Sequence, residues 1–347
     1  MIQTGFSLYL GSGLNKNREV IEKSVAAGSK MVFTSLHIPE ESVEDYAKEV
    51  RMLMDVCQEH DCQVMVDISN HTLDKLGLKE LSELKDWGFT HLRIDFGISL
   101  KEVVELSKEF YIVLNSSTIL EHELKEMKAM GADLSRFLAC HNFYPKELTG
   151  ISIKDALERN LFLKQYGIVT MAFVAGDKDL RGPIYAGLPT CEVHRNQRVD
   201  VAMLNCYQET ASDIICIGDV DISEQAYQQI RNINDGYVEL RIKVDETYNY
   251  LNQTIHFDRV DSSEHLFRSV QSRQAFFKTE PKNMVERKVG DVCVSNSNYL
   301  RYEGELEIMK KDHPADDRIN VIGHVIEQDI ELLMNVKHGF GVKLLLV

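Results

Sequence analysis

The chain has 347 residues, 44% of them hydrophobic, with 39 Lys and Arg against 54 Asp and Glu and a formal net charge of -15. That length exceeds one ordinary domain and fits a barrel of about 230 residues plus a smaller module. The acidic balance, without any block of Lys or Arg, argues against nucleic acid or an anionic membrane surface as the main partner.

In chain order, short apolar runs that end on polar residues span 6–9, 31–35, 63–67, 91–95, 111–115, 137–142, 169–174 and 214–219. Helical patterns lie between them, at 14–28, 42–61, 78–89 and 124–133, most ending near Gly or Asp. This spacing predicts a parallel (β/α)8 TIM barrel over 1–234, an α/β fold whose chemistry sits at the carboxyl ends of the strands. The exits read SLHIPEE, VDISNH, RIDFG, LNSST, CHNFYP, VAGDKDLRGP and IGDVD, rich in Asp, Asn, His and Ser. The rhythm breaks once, between Val174 and Ile214, where 175–190 reads as a long loop carrying Arg181 and Tyr185, followed by a helix over 191–209. Long loops inside compact domains are usually functional, so a binding loop is expected there.

From Asp235 the texture turns β-rich, with runs at 237–244, 252–260, 265–273, 289–300, 304–311 and 340–347 and turns at Gly290 and Gly304. A separate, mainly β domain over 235–347, a small barrel, is predicted. Arg268, Arg273, Arg287, Lys288 and Arg301 gather in it among Ser, Asn and Tyr, a candidate anion pocket because Arg presents a planar fork of donors matched to phosphate oxygens. The bland alternative is a set of strand-surface arginines paired with local carboxylates.

No basic stretch followed by an apolar run opens the sequence, and no apolar segment is long enough to span a bilayer. A cytoplasmic protein without membrane contact is expected. The seven cysteines include no CxxC pair and read as reduced, buried small hydrophobes.

The motifs LRIDFG, LNSST, CHNFYP, GDKDLRGPIYAGLPTCEVHR, LFRSVQSR and GDVCVSNSNYLRYEGELEI resemble those of the MupG-like proteins of Gram-positive bacteria, a family of 6-phospho-N-acetylmuramidases, over nearly the whole chain. The resemblance implies a TIM barrel fused to a C-terminal cyclophilin-like β-domain. It also implies intracellular hydrolysis of 6-phospho-N-acetylmuramic acid linked to N-acetylglucosamine during cell-wall recycling.

A glycosidase needs two carboxyl groups about 5 to 9.5 Å apart, one protonated and one ionised. Asp95 and Asp177 are the preferred catalytic pair, with Asp67 and Glu192 in reserve. Each has a structural alternative as a helix cap or an arginine's partner. A substrate acetamido group that attacks the anomeric carbon itself is an equally open route. Asn115, His141, Asn142, Tyr144, Arg181, Tyr185, Arg195 and Asp219 are expected to bind the sugar. The β-domain is expected to fold over the barrel mouth and meet the phosphate through Arg268, Arg273 and Arg301, the first two preferred because Ser269 and Ser272 lie beside them.

His37 reads as a structural histidine, and without HxH or HExxH no metal or other cofactor is expected. The implied partner is a small phosphorylated disaccharide, and self-association into a homo-oligomer is compatible with this reading. Two competing classes remain. A Schiff-base aldolase or lyase would need a desolvated Lys at a strand end, for which Lys178 is the nearby candidate. A non-catalytic carbohydrate-binding protein would use the same Asn, His and aromatic groups.

Overall fold

Eight parallel strands close on themselves, each bonded to the next and the eighth to the first: β1 (Gln3–Leu8), β2 (Met31–Ser35), β3 (Gln63–Ile68), β4 (His91–Ile94), β5 (Tyr111–Asn115), β6 (Phe137–Cys140), β7 (Val169–Val174) and β8 (Ile214–Ile217). The computed structural model describes residues 2–36, 46–69, 72–95, 97–272, 278–337 and 339–347, so His37 and Arg273 lie outside the described residues. Between the strands run α1 (Leu14–Ala26), α2 (Tyr46–Glu59), α3 (Thr72–Leu76), α4 (Leu100–Leu106), α5 (Glu121–Ala129), α6 (Ile153–Lys164), α7 (Val199–Thr210) and α8 (Glu224–Asn234).

Successive strand residues face opposite sides. Met31, Phe33, Met65, Val113, Leu138, Met171, Phe173 and Cys216 therefore pack inside the barrel. Val32, Val64, Val66, Leu92, Ile112 and Leu114 face the helical layer. Each such buried side chain contributes about 1.5–3 kcal/mol, which is why both faces of the strands read as apolar runs.

Two helices differ from expectation. Over 78–89 the structure has a 3-10 turn, Leu81–Lys85, preceded by the short α3. Gly77 turns the chain out of α3 at φ 66, and the Glu83 carboxylate then accepts the N–H groups of Lys79 and Glu80, which starts a new, tighter turn. Over 191–209, a 3-10 turn at Glu192–His194 is separated from α7, because Arg195 folds back onto Glu192 and the loops instead of continuing a helix.

Contacts divide the chain into two compact units, 1–234 and 235–347. The second contains β9 (Tyr237–Val244), β10 (Ile255–Phe257), β11 (Leu266–Arg268), β12 (Asp291–Ser295), β13 (Leu306–Met309), β14 (Ile319–Val325) and β15 (Gly341–Leu346). They form one sheet ordered β10-β15-β9-β14-β12-β13-β11, in which β9 and β15 are the parallel neighbours. The two outer strands meet beyond their ends at a bridge between Asp258 and Ser269, flanked by Arg259 N–H to Arg268 O at 3.0 Å and Val270 N–H to Phe257 O at 2.9 Å. The sheet thus curls back on itself in the manner of a small barrel. Strand β14 and the helix α9 (Glu327–Asn335) were not expected from the sequence. The middle of β14 is only half-buried and contains Gly323, so it carries no clean alternation.

Candidate active site

The inner faces of β3 to β6 end in polar residues just above the apolar barrel filling. Asp67 on β3 stands in register with Arg93 on β4, and Arg93 Nη1 donates to the Asp67 carboxylate at 2.7 Å. Through Nη2 the same guanidinium donates to Asn142 Oδ1 at 2.5 Å, and Asn115 donates to that oxygen at 3.3 Å. Arg93 is only 8% exposed. Burial works against its charge, but the adjacent Asp67 carboxylate outweighs this and raises its pKa, with a further contribution from Asp95.

Asp95 continues the inner face two residues beyond Arg93. Its N–H donates to Ile68 O at 3.1 Å, so the β3–β4 ladder reaches this far while its side chain is exposed to solvent. From the strand spacing, the Cα atoms of Asp67 and Asp95 lie roughly 8 Å apart. Below them Phe33, Phe143 and Phe173 form an edge-to-face cluster with centroid distances of 5.2 to 5.8 Å. Two carboxylates, a fixed cation and two amides over an aromatic floor suit recognition and cleavage of a polyhydroxylated ring.

The other expected carboxylates have different partners. Both Asp177 oxygens accept from Ser223, one from its N–H and one from its hydroxyl, each at 2.7 Å, at the head of α8. Glu192 accepts Arg195 Nε and Nη2 at 2.7 Å each, together with the N–H groups of Leu148 and Gly150. Arg195 holds the Glu192 pKa down at about 2, against desolvation and helped by those two amides. The same guanidinium donates to the carbonyls of Tyr144, Lys146, Ala186 and Gly187, so it knits the loops after β6 and β7 together.

Asp219, buried at the end of β8, accepts N–H groups from Gly176, Arg181 and Leu188 at 2.8 to 3.0 Å. Burial pushes its pKa up in spite of these three donors. The 175–190 loop is thereby pinned over Gly218, where a Cβ would come within 2.3 Å of the Leu188 carbonyl. On this loop the Arg181 guanidinium lies 4.3 Å over the ring of Tyr9, whose hydroxyl donates to Gly218 O. Tyr185 is 66% exposed and anchored through its N–H to Arg181 O.

His141 is fully buried and paired with Asn160 at 2.9 Å, and burial pushes its pKa down to about 4. It orders the β6 exit, while Tyr144 is half-buried with its N–H on Pro189 O. Lys178 and Lys16 donate to Asp221 at 2.8 and 2.6 Å. Lys178 is ion-paired on an exposed loop and is not the strand-end lysine that Schiff-base chemistry in a barrel would use. Among the described residues, no three His, Cys, Asp or Glu side chains come together as a metal site, and no helix is long and apolar enough to cross a membrane.

Residues 4–232 match the N-terminal domain of 6-phospho-N-acetylmuramidases, and 238–345 match the C-terminal domain. The chain belongs to the 6-phospho-N-acetylmuramidase family. It is similar to the crystal structure of a conserved Enterococcus faecalis protein of unknown function, with 34% identity, coverage of 99% of this chain and 96% of the other, and a TM-score of 0.81. An uncharacterised B. cereus protein shares the fold at 24% identity, with coverage of 99% and 100% and a TM-score of 0.79. No curated protein matches the chain.

In the C-terminal domain of this family member, the expected anion pocket is only partly assembled. Arg268 donates through Nε and Nη2 to the buried Glu305 carboxylate at 3.1 and 2.7 Å. Arg268 and Arg301 both lie over the Tyr302 ring, at 5.9 and 4.9 Å, and Arg301 also donates to its hydroxyl. Arg287 donates to Pro314 O, and Lys288 pairs with Glu286 and Asp312. The buried arginine of the barrel mouth, Arg93, was not singled out by the sequence reading. Its signal was there: in LRIDFG it alternates with apolar residues and shares a face with Asp95.

Proposed function

We propose that this chain hydrolyses the bond between 6-phospho-N-acetylmuramic acid and N-acetylglucosamine in the cytoplasm, as a step in peptidoglycan recycling. Membership of a glycosidase family supports the reaction class. The observation that carries the residue assignment is Asp67 and Asp95 on adjacent strands at the barrel mouth, with Arg93 hydrogen-bonded to the first. In this reading the C-terminal unit is a cyclophilin-like accessory domain.

Asp95, reachable from solvent, serves as the acid. It gives its proton to the glycosidic oxygen as the bond from that oxygen to the anomeric carbon breaks, and it recovers a proton from the water that adds to the carbon. Asp67, ion-paired with Arg93, meets the positive charge that develops at the anomeric carbon. It does so either directly or by orienting the substrate acetamido group. Asn142 spends its carbonyl oxygen on Arg93 and Asn115, leaving its NH2 to donate to a substrate hydroxyl.

The test is incubation of the purified protein with phosphorylated and unphosphorylated muramyl disaccharides, followed by mass detection of released N-acetylglucosamine. Release from the phosphorylated compound, abolished in Asp67→Asn and in Asp95→Asn, is expected. No release from either compound would sink the proposal.

A further inference from the structure

We propose that Cys57 and Cys62 are a redox pair, two thiols that a small peroxide converts into a reversible disulfide joining the last turn of α2 to the start of β3. The pair lies at the amino end of β3, with about 16 Å of strand between Cys62 and Asp67 near the carboxyl end. It is a modification site separate from the barrel mouth, and it does not depend on the hydrolytic reading.

The backbone brings the two residues together. Helix α2 ends in a Schellman turn: Cys62 N–H donates to Cys57 O at 2.9 Å, Asp61 N–H donates to Gln58 O at 3.1 Å, and Asp61 takes the left-handed conformation at φ 53. With standard bond lengths, the first of these hydrogen bonds keeps the two Cα atoms within about 6.8 Å, the outer edge of the range that a disulfide spans. In such a turn the side chains of these two positions commonly meet. Here they do, since the Cys57 thiol donates a hydrogen bond to the Cys62 sulfur and both residues belong to one apolar cluster.

The two thiols are not equivalent. Cys62 is 9% exposed, the most of the seven cysteines, and Cys57 is 1% exposed. That opening admits a molecule the size of hydrogen peroxide and not a bulky thiol reagent. The Cys57 S–H, helped by the Lys30 ammonium, holds the Cys62 thiol below its usual range against burial and the charge of Asp61. The same hydrogen bond, with burial, pushes Cys57 up. Cys62 is therefore the attacking thiolate and Cys57 the resolving thiol, the arrangement of a peroxide-sensing cysteine. The other five thiols are fully buried and raised by burial.

In the first step the Cys62 sulfur attacks one peroxide oxygen, an S–O bond forms as the O–O bond breaks, and the departing hydroxide takes the thiol proton as water. The Cys57 sulfur then attacks the Cys62 sulfur. The S–S bond forms as the S–O bond breaks, and the second hydroxide leaves with the Cys57 proton as water. Peroxide gains two electrons, one from each sulfur.

The test treats the native protein with hydrogen peroxide, removes the oxidant, unfolds the chain and counts thiols by alkylation. Two of the seven thiols should be lost, leaving five. Both cysteines fall in one tryptic peptide, 52–75, which should be about 2 Da lighter and return to its starting mass with dithiothreitol. Cys62→Ala should keep all its remaining thiols through the same treatment. Cys57→Ala should lose Cys62 alone, as a sulfenic acid that dimedone traps. Retention of all seven thiols in the wild type, loss at any other cysteine first, or a disulfide between two chains overturns the proposal. Thiol counting involves no turnover, so failure of the proposed hydrolysis leaves this result standing.

Discussion

Asp67 and Arg93 form an ion pair of 2.7 Å in which the side chains are 13% and 10% exposed, so each charge depends on the other for solvation. Arg93→Met should therefore cost about 3–5 kcal/mol of stability, because it strands a buried carboxylate. The double variant Asp67→Asn, Arg93→Met should lose less than the sum of the singles. Urea unfolding of the four proteins measures this coupling, and strict additivity would show that the pair is not a unit.

Asp95 and Asp177 should separate activity from stability. Asp95→Asn is expected to slow turnover by about 10²- to 10⁴-fold with stability unchanged to within about 0.5 kcal/mol. Asp177→Asn loosens the Ser223 contacts at the head of α8 and should cost about 1 kcal/mol with a far smaller effect on rate. The opposite ordering would return Asp177 to the chemistry.

Burial pushes the pKa values of His91 and His141 down to about 4, so both are neutral in the folded protein near pH 7. Unfolding releases them to an ordinary value near 6.5. The unfolded chain then binds more protons, and the stability they contribute is present above about pH 6.5 and lost as pH falls toward 4. Chemical denaturation across this range, repeated in His141→Gln, should show a shallower slope in the variant. Imidazole resonances of His141 that titrate near pH 6.5 in the folded protein would contradict this.

Glu192 acts in a lower window. Arg195 holds its carboxyl at about 2, so the stability it contributes is complete above about pH 4.5 and lost as pH falls through 2. Glu192→Gln should flatten the acid limb of the stability curve and lower stability at pH 7. An unchanged acid limb would show that the Arg195 pairing does not govern the loops it joins.

All seven cysteines are free and buried, and burial raises the thiol pKa of Cys140, Cys191, Cys206, Cys216 and Cys293. A thiol reagent should find none rapidly in the native protein and seven after unfolding in guanidinium. Fast labelling of any one would show a local opening.

The barrel strands were legible because parallel strands buried on both faces are continuous apolar runs, and β2, β5 and β7 begin and end where those runs do. The 78–89 helix was misread because helical spacing outvoted Gly77 and the Glu83 side chain, both of which act within one turn. In the mouth, the strand exits pointed to Asp67, Asp95, Asn115 and Asn142, which lie at the ends of β3 to β6, three of them joined through Arg93 and Asn142. They did not reveal what Asp177, Glu192 or Asp219 would hold. Apart from the Glu192–Arg195 pair, the groups those carboxylates bind lie at least 31 residues away in the chain, and a backbone N–H has no signature in a sequence. The direction of an arginine is equally silent, as Arg195 turned inward and Arg268 bound to Glu305 both show.

Asp219 has a further consequence. By tying the 175–190 loop at three points, it transfers the ordering of that segment to the folding step. Any group that docks against this loop meets a segment that has already surrendered its freedom, so little conformational entropy is subtracted from the affinity. Association should resemble rigid docking, with selectivity set by how well a rival fits a shape fixed in advance.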